Sequence, residues 1–385
     1  MVLTVPDHDP VRFAADLGAK LAARSRHVCA FLGAGVGCSC GLPDIKKLQE
    51  KVLSGLKSEY AEPFKKQLEN RNLEQALSRL RRISALISGD QLVDGLSAQQ
   101  ASLIDSAVCQ EVVKALAIDI GTDLTSMHYL AAWVGASQYH LPVEIFTVNY
   151  DLLLETALEH RRVPYFDGFV GVLKARFHTE LVEAPTGRGE EFVPPFFARL
   201  WKLHGSVNWL WEGQSIVRLG HPVTSDVAAA IYPSDAKYDE SRRIPFVVLQ
   251  DRFRRALQEA ETMLIVSGYS FGDEHLNELM FDAAARRPRS EFIAFCHSNI
   301  PDVLSKRALN TPNVQVASAT EAILGGVRAN WKAPATAQAG VWDNNKFLIG
   351  DFRKLAEYLA RSSALDLQSL VPASADAASA PAKAT

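Results

Sequence analysis

The sequence predicts an α/β fold: a parallel sheet flanked by helices, with a mostly helical module inserted into it. Three observations carry that prediction. Short apolar runs alternate with amphipathic stretches over residues 10–44 and again over 133–330. Residues 45–132, between them, hold helical patterns, many charges and almost no β-branched runs. A glycine-rich turn, Gly33-Ala-Gly-Val-Gly37, directly follows the first apolar run.

In chain order, Val11–Arg24 has helical spacing of apolar residues and ends in a basic turn. His27–Leu32 (HVCAFL) reads as a buried strand, and the glycine turn after it is the usual opening of a Rossmann-like βαβ unit. Leu73–Leu86 is an amphipathic helix within the inserted module. The sheet resumes at Val143–Val148, followed by a helix over Leu152–His160. Residues 163–235 are mixed and aromatic, with turn residues at Pro185-Thr-Gly-Arg-Gly189. Alternation then returns. Helices are expected at Phe253–Ala260, Glu274–Arg286 and Pro301–Leu309, and strands at Thr262–Ser267, Glu291–Cys296 and Val314–Ala317. Residues 331–361 form a C-terminal extension with a helix at Phe352–Ala360. From Ser362 the chain is rich in Ala, Ser and Pro, which predicts a disordered tail over 362–385.

Composition excludes several function classes. Of 385 residues, 48% are hydrophobic and 22% charged, which is ordinary for a globular protein long enough for two domains. The net charge of -3 gives no support for electrostatic capture of nucleic acid or an anionic membrane. The basic clusters at Arg79–Arg82 and Arg286–Arg289 read as solvated helix faces. Five cysteines without a CxxC pair argue against a disulfide framework and against a zinc ribbon. With no signal-peptide pattern and no apolar run of spanning length, the expected location is cytoplasmic.

Four short segments could carry chemistry. Gly33 and Gly35 follow a strand, where glycine lets backbone amides approach a pyrophosphate. Tight strand-to-helix turns also use glycine with no ligand. No acidic residue ends a second strand about 20 residues on, so this is not a dehydrogenase fingerprint. Asn149, in Thr147-Val-Asn-Tyr-Asp151, stands where a strand ends, the place where open α/β sheets put ligands. Asp151 reads as the cap of the following helix. His204, in Lys202-Leu-His-Gly-Ser206, ends a short apolar segment. A lone histidine is more often structural, but it is also the side chain that exchanges a proton near neutral pH. Gly268 and Ser270, in Val266-Ser-Gly-Tyr-Ser-Phe-Gly-Asp273, sit at another strand-to-helix junction and could approach a ribose or phosphate. Asp273 reads as a cap and His275 as surface.

Singly these segments are weak; their order is specific. Gly33-Ala34-Gly35, Gly41-Leu-Pro-Asp44, Thr147-Val-Asn149-Tyr-Asp151, Leu203-His204-Gly205 and Gly268-Tyr-Ser270 resemble, in sequence, the motifs of the sirtuin (Sir2) superfamily over residues 27–320. The chain departs from the deacetylating members in several places. Gly37 replaces a serine, Ile45-Lys46 replaces Phe-Arg, and Val148 replaces a glutamine. The zinc-binding cysteine pairs are missing. This pattern looks like the bacterial sirtuin-like NADases of antiphage defence, most like the stand-alone subunit that works with a HerA-type ATPase.

The resemblance implies NAD as substrate, no zinc, and water in place of acetyl-lysine as acceptor. It implies that Asn149 positions ribose hydroxyls or water and that His204 is the general base. Gly33, Ala34 and Gly35 would hold the pyrophosphate, Asp44 would sit at the nicotinamide end, and Asp151, Gly268 and Ser270 would complete the binding site. A homo-oligomer and the ATPase are the expected partners, with the helical module as their docking surface. The competing readings are an NAD-dependent deacylase, a sensor that binds NAD or ADP-ribose without cleaving it, and a nuclease component. Against the last, no clustered carboxylates suggest a two-metal site.

Overall fold

The computed structural model describes residues 7–119, 121–184, 197–213, 215–223, 229–231, 244–336, 338–363 and 365–370. Its main sheet has nine strands: β1 (Val28–Leu32), β2 (Glu144–Thr147), β3 (Tyr165–Phe166), β4 (Ala198–Lys202), β5 (Met263–Ser267), β6 (Glu291–Phe295), β7 (Val314–Ala317), β8 (Glu321–Leu324) and β9 (Val327–Asn330). They lie in the order β9-β8-β7-β6-β5-β1-β2-β4-β3. All neighbours from β7 to β3 are parallel, while β8 and β9 add an antiparallel hairpin at one edge. The chain moves from β1 to β2 on one side and later returns to β5 on the other. That reversal opens a crevice above the carboxyl ends of β1, β2 and β5.

The strand residues explain the layering. In β1, Val28, Ala30 and Leu32 join one core, while Cys29 and Phe31 join the opposite one. A period of two with apolar residues on both faces is what a sheet covered on both sides requires. The helices are α1 (Pro10–Ala22), α2 (Ala34–Cys38), α3 (Ile45–Gly55), α4 (Ser58–Leu68), α5 (Leu73–Leu86), α6 (Ala98–Ala115), α7 (Thr125–Ala136), α8 (Leu153–His160), α9 (Thr179–Glu183), α10 (Phe246–Gln258), α11 (Glu274–Arg286), α12 (Asp302–Asn310) and α13 (Phe352–Ser362). Buried residues of α1, α7, α8 and α13 pack on the first face, and those of α10, α11 and α12 on the second.

Helices α3 to α6 enclose a third core of their own, which also takes in Tyr150 and Val207 from the α/β part. Capping boxes start α5 (Asn72 with Gln75) and α6 (Ser97 with Gln100). Helix α7 straddles residue 132, where the inserted module was expected to end. It packs on α8 and α13 with the sheet. A smaller antiparallel sheet is formed by Phe169–Val170, Ala175–Phe177, Gly205–Glu212, Ser215–Arg218 and Ala229–Ile231. Its long strand continues almost directly from β4, within the region read from sequence only as mixed.

Two expectations need correction. The helix expected at Phe253–Ala260 begins at Phe246, because the apolar residues Phe246, Val248 and Leu249 extend its buried face. The tail expected to be disordered from residue 362 is packed at its start. Residues 367–370 form a 3-10 turn, and Leu370 is buried beside Ala132 and Ala360. Residues 371–385 and the turn at Pro185–Gly189 lie outside the described residues.

Below the sheet's midline, towards the amino ends of β1 and β2, a buried polar cluster surrounds Glu144. Its oxygens accept from Arg252 Nε at 2.8 Å, Trp201 Nε1 at 2.7 Å and the Arg252 Nη2 group, and His27 Nε2 lies 3.1 Å away. Burial works against this carboxylate, but Arg252 and His27 outweigh it and hold it well below the usual carboxylate range.

Candidate functional site

At the carboxyl ends of the strands, hydrogen bonds stitch four loops together. Thr147 Oγ1 donates to the Leu32 carbonyl at 3.0 Å and accepts from the Asn149 amide at 3.0 Å. The Leu203 amide donates to the Thr147 carbonyl at 2.9 Å. Buried Lys202 donates to the Asp151 carbonyl and, at 2.8 Å, to Glu155. The backbone carrying Asn149 is therefore held from β1 on one side and from β4 on the other.

The glycines have a different task from the one expected. The Gly33 amide donates to the Ser267 carbonyl at 3.0 Å, and the Gly35 amide to the Gly268 carbonyl at 2.8 Å. Gly268 has φ +65°, and a Cβ there would lie 2.4 Å from the Val36 nitrogen. These glycines let the β1 and β5 loops touch. The amides of Gly33 and Gly35 are engaged by that contact, which corrects the reading of them as amides open to a pyrophosphate.

Above this junction lies a cavity of about 340 Å³. Ala34, Gly35, Asp44, Asn149, Asp151, His204, Gly268 and Ser270 all line it, whereas Gly33 lies behind its wall. Asp44 caps α3 through the Lys47 amide at 2.8 Å. Asp151 Oδ1 accepts from the Leu153 amide at 3.0 Å, but α8 begins one residue later than expected and its N-cap position is Leu152, so Asp151 stands just ahead of the cap it was read as. Burial pushes the Asp151 carboxyl up, against the pull of Lys202. Ser270 is exposed. Asn149 Oδ1 and His204 Nδ1 are buried and have no polar partner, and His204 Nε2, also buried, has only the Asp273 carboxylate near it, too poorly aligned for a full hydrogen bond. Buried polar atoms are nearly always paired, so two such orphans on residues lining one cavity point to a place for a polar ligand.

His204 also has a neighbour that sequence reasoning missed. Its Nε2 lies 3.3 Å from Asp273 Oδ2. Asp273 Oδ1 caps α11, accepting from the His275 and Leu276 amides at 3.0 and 3.2 Å. Burial opposes the Asp273 carboxylate, but His204 and those two amides hold it below the usual range. The capping signal was visible in the sequence, and it hid the second oxygen. His275, read as surface, is exposed.

Sequence reasoning missed two further walls. The helical module closes one side of the cavity with Leu48, Asn72, Glu74, Gln75 and Leu116, and Tyr150 donates to Glu74 at 2.8 Å. A second cavity of about 570 Å³ adjoins the first, sharing Gly35, Gly268, Tyr269 and Ser270. It is lined by Cys38, Ser39, Cys296, His297, Ser298, Asn299 and, from the C-terminal extension, Asp351 and Arg353. The position of Cys296–Asn299 after β6 was the available signal. Among the described residues, no group of three or more His, Cys, Asp or Glu side chains could hold a metal ion, and no helix is long and apolar enough to cross a membrane.

An open, mostly parallel sheet with adjoining cavities at its switch point defines a class: doubly wound α/β proteins, whose ligand sites lie over the carboxyl ends of the strands. The comparison with known families is consistent with that class. Residues 143–316 match the family model of the SIR2-like domain. The match spans β2 to β7 and contains Asn149, His204, Gly268, Ser270 and Asp273; the glycine turn and Asp44 precede it. It supports the Sir2-like superfamily and, with it, an NAD-dependent enzyme. No curated protein matches the chain.

Proposed function

We propose that the protein is an NAD glycohydrolase that releases nicotinamide and ADP-ribose, with water as the acceptor. The observation that carries this reading is the set of orphaned polar atoms on Asn149 and His204 in the crevice. Binding alone would be served by donors and acceptors of any kind, whereas a buried imidazole with a free ring nitrogen supplies a base. The dinucleotide lies across the junction of the β1 and β5 loops and extends into both cavities. Its reacting ribose sits against Asn149 and His204, and Ser270 lies between the chambers. Nicotinamide leaves as a neutral molecule from a cationic glycoside, so no general acid is needed. The transition state has oxocarbenium character, as in sugar hydrolysis. Asn149 positions a ribose hydroxyl or the attacking water, and His204 takes its proton.

Uncontrolled hydrolysis of NAD is toxic. We therefore place the activity in antiphage defence, under control of homo-oligomerisation and a HerA-type ATPase. The purified chain, incubated with NAD alone and then with the ATPase, tests the reaction by chromatography of products. Nicotinamide and ADP-ribose in equal amounts without added peptide are expected. Acyl-ADP-ribose formed only with an acylated peptide would establish the deacylase instead. Binding of NAD without turnover under every condition would establish a sensor.

A further inference from the structure

Resting on the hydrolase reading, we propose that Asp273 is a positioning residue that holds His204 in the Nε2-protonated tautomer, so that the base acts through Nδ1. The geometry points to this division. A neutral imidazole carries one proton, and the nitrogen that keeps it is set by the partner the ring finds. Asp273 Oδ2 is 3.3 Å from Nε2, within ion-pair reach though not aligned as a hydrogen bond, while Nδ1 has no polar partner. A carboxylate accepts only, so the nitrogen facing it must donate. Nδ1 is then the lone pair left for chemistry.

Asp273 is itself fixed. Its other oxygen receives two amides at the start of α11. The adjoining loop is held in turn, because Phe271 adopts φ +58° and its carbonyl accepts from Asn277 Nδ2 at 2.8 Å. The aspartate thus does two things at once: Oδ1 caps the start of α11, and Oδ2 orients a ring.

The step balances as follows. A bond forms between a water oxygen and the anomeric carbon, and the bond from that carbon to the nicotinamide nitrogen breaks. Its electron pair leaves with nicotinamide. The water proton moves to His204 Nδ1, and the imidazolium so formed lies beside the Asp273 carboxylate. Release of that proton to solvent restores the tautomer.

Asp273→Asn in the full chain separates the two tasks. Asparagine keeps an oxygen to cap α11 but can turn an amide N–H towards Nε2, which favours the Nδ1-protonated ring. Long-range nitrogen–proton correlation spectra, with His204 assigned through His204→Gln, should show the Nε2-protonated form in the wild type and its loss in Asp273→Asn. The kcat for NAD should fall at least ~100-fold, with KM changed less than about threefold, as expected when a base is held in the wrong tautomer. Asp273→Ala, which also loses the cap, should be less stable as well. A wild-type ring protonated at Nδ1, or an Asp273→Asn enzyme with near-full kcat, would overturn the proposal. The spectrum is independent of turnover. If the wild type shows the Nε2-protonated form but cleaves no NAD, the positioning role stands and the hydrolase reading fails.

Discussion

At the amino end of β2, Glu144 is fully buried and both of its oxygens accept hydrogen bonds, Oε2 from Trp201 and Arg252 and Oε1 from Arg252. Just past the carboxyl end of the same strand, the Oδ1 of Asn149 is buried and accepts none, and His204 beside it has no partner at Nδ1 and only the Asp273 carboxylate near Nε2. Both ends take polar groups out of water. At one end the desolvation cost is offset by partners within the chain, and the cluster fastens β2 and β4 to α10. At the other end it is left standing, and a ligand could offset it. The contrast separates stability from function on one sheet without reference to any relative.

The largest expected effect comes from breaking the satisfied end. Glu144→Ala leaves Arg252 charged and buried without its partner, which typically costs about 3–5 kcal/mol. Urea unfolding should show that loss, and a change below about 1 kcal/mol would mean that the cluster is not a fastener. The same cluster predicts a pH dependence. Burial favours neutral His27, but contacts with Cys29 and Glu144 outweigh it and push the imidazole up to about 10. Burial also pushes the Cys29 thiol up, so the Glu144 carboxylate is the anion that matters at neutral pH. The folded state thus holds a proton that the unfolded chain releases near pH 6.5. This contribution is complete below about pH 6.5 and is lost as pH rises towards 10. Thermal midpoints should fall between pH 7 and pH 10, and His27→Gln should flatten that slope.

The unsatisfied end should behave in the opposite way. His204→Ala or Asn149→Ala should lower NAD turnover at least ~100-fold, about 2.7 kcal/mol at the transition state. The thermal midpoint should hold within about 2 °C, because Asn149 Oδ1 and His204 Nδ1 make no internal hydrogen bond and only the 3.3 Å contact of Nε2 with Asp273 is lost. A large drop in stability with turnover per folded molecule intact would place these residues with Glu144 and remove the contrast.

How much of this was legible follows from how local each signal is. Val28–Leu32 could be read as a strand because its five residues are apolar, and Leu73–Leu86 as a helix because its apolar residues keep helical spacing. Asn149 and His204 stood out because each follows an apolar run. The strand Ala198–Lys202 was harder. Arg199 and Lys202 interrupt the apolar run, and Lys202 is tolerated inside only because Glu155 and the Asp151 carbonyl, distant in sequence, receive it. The hairpin Glu321–Asn330 lies at a sheet edge, where one-sided exposure admits charge and blurs the pattern. Asp273 was read by its local oxygen and missed by its distant one. The module's wall on the cavity depends on how α5 docks against the α/β part, which no single stretch of sequence records.

That docking gives the smallest of the expected effects. Tyr150 stands between Asn149 and Asp151, is buried in the module's core, and donates from its hydroxyl to Glu74 at the start of α5. Tyr150→Phe keeps the ring and the core packing but removes this donor. One such bond contributes about 1 kcal/mol. Urea unfolding should register that loss, well below the effect of Glu144→Ala. If the bond also keeps the module's wall against the Asn149 loop, KM for NAD should rise a few-fold while kcat stays near wild type, since His204 is untouched. A kcat that falls as far as in Asn149→Ala would instead mean that the module sets the geometry of the unsatisfied end, and that the boundary between fastening and functional residues runs through Tyr150.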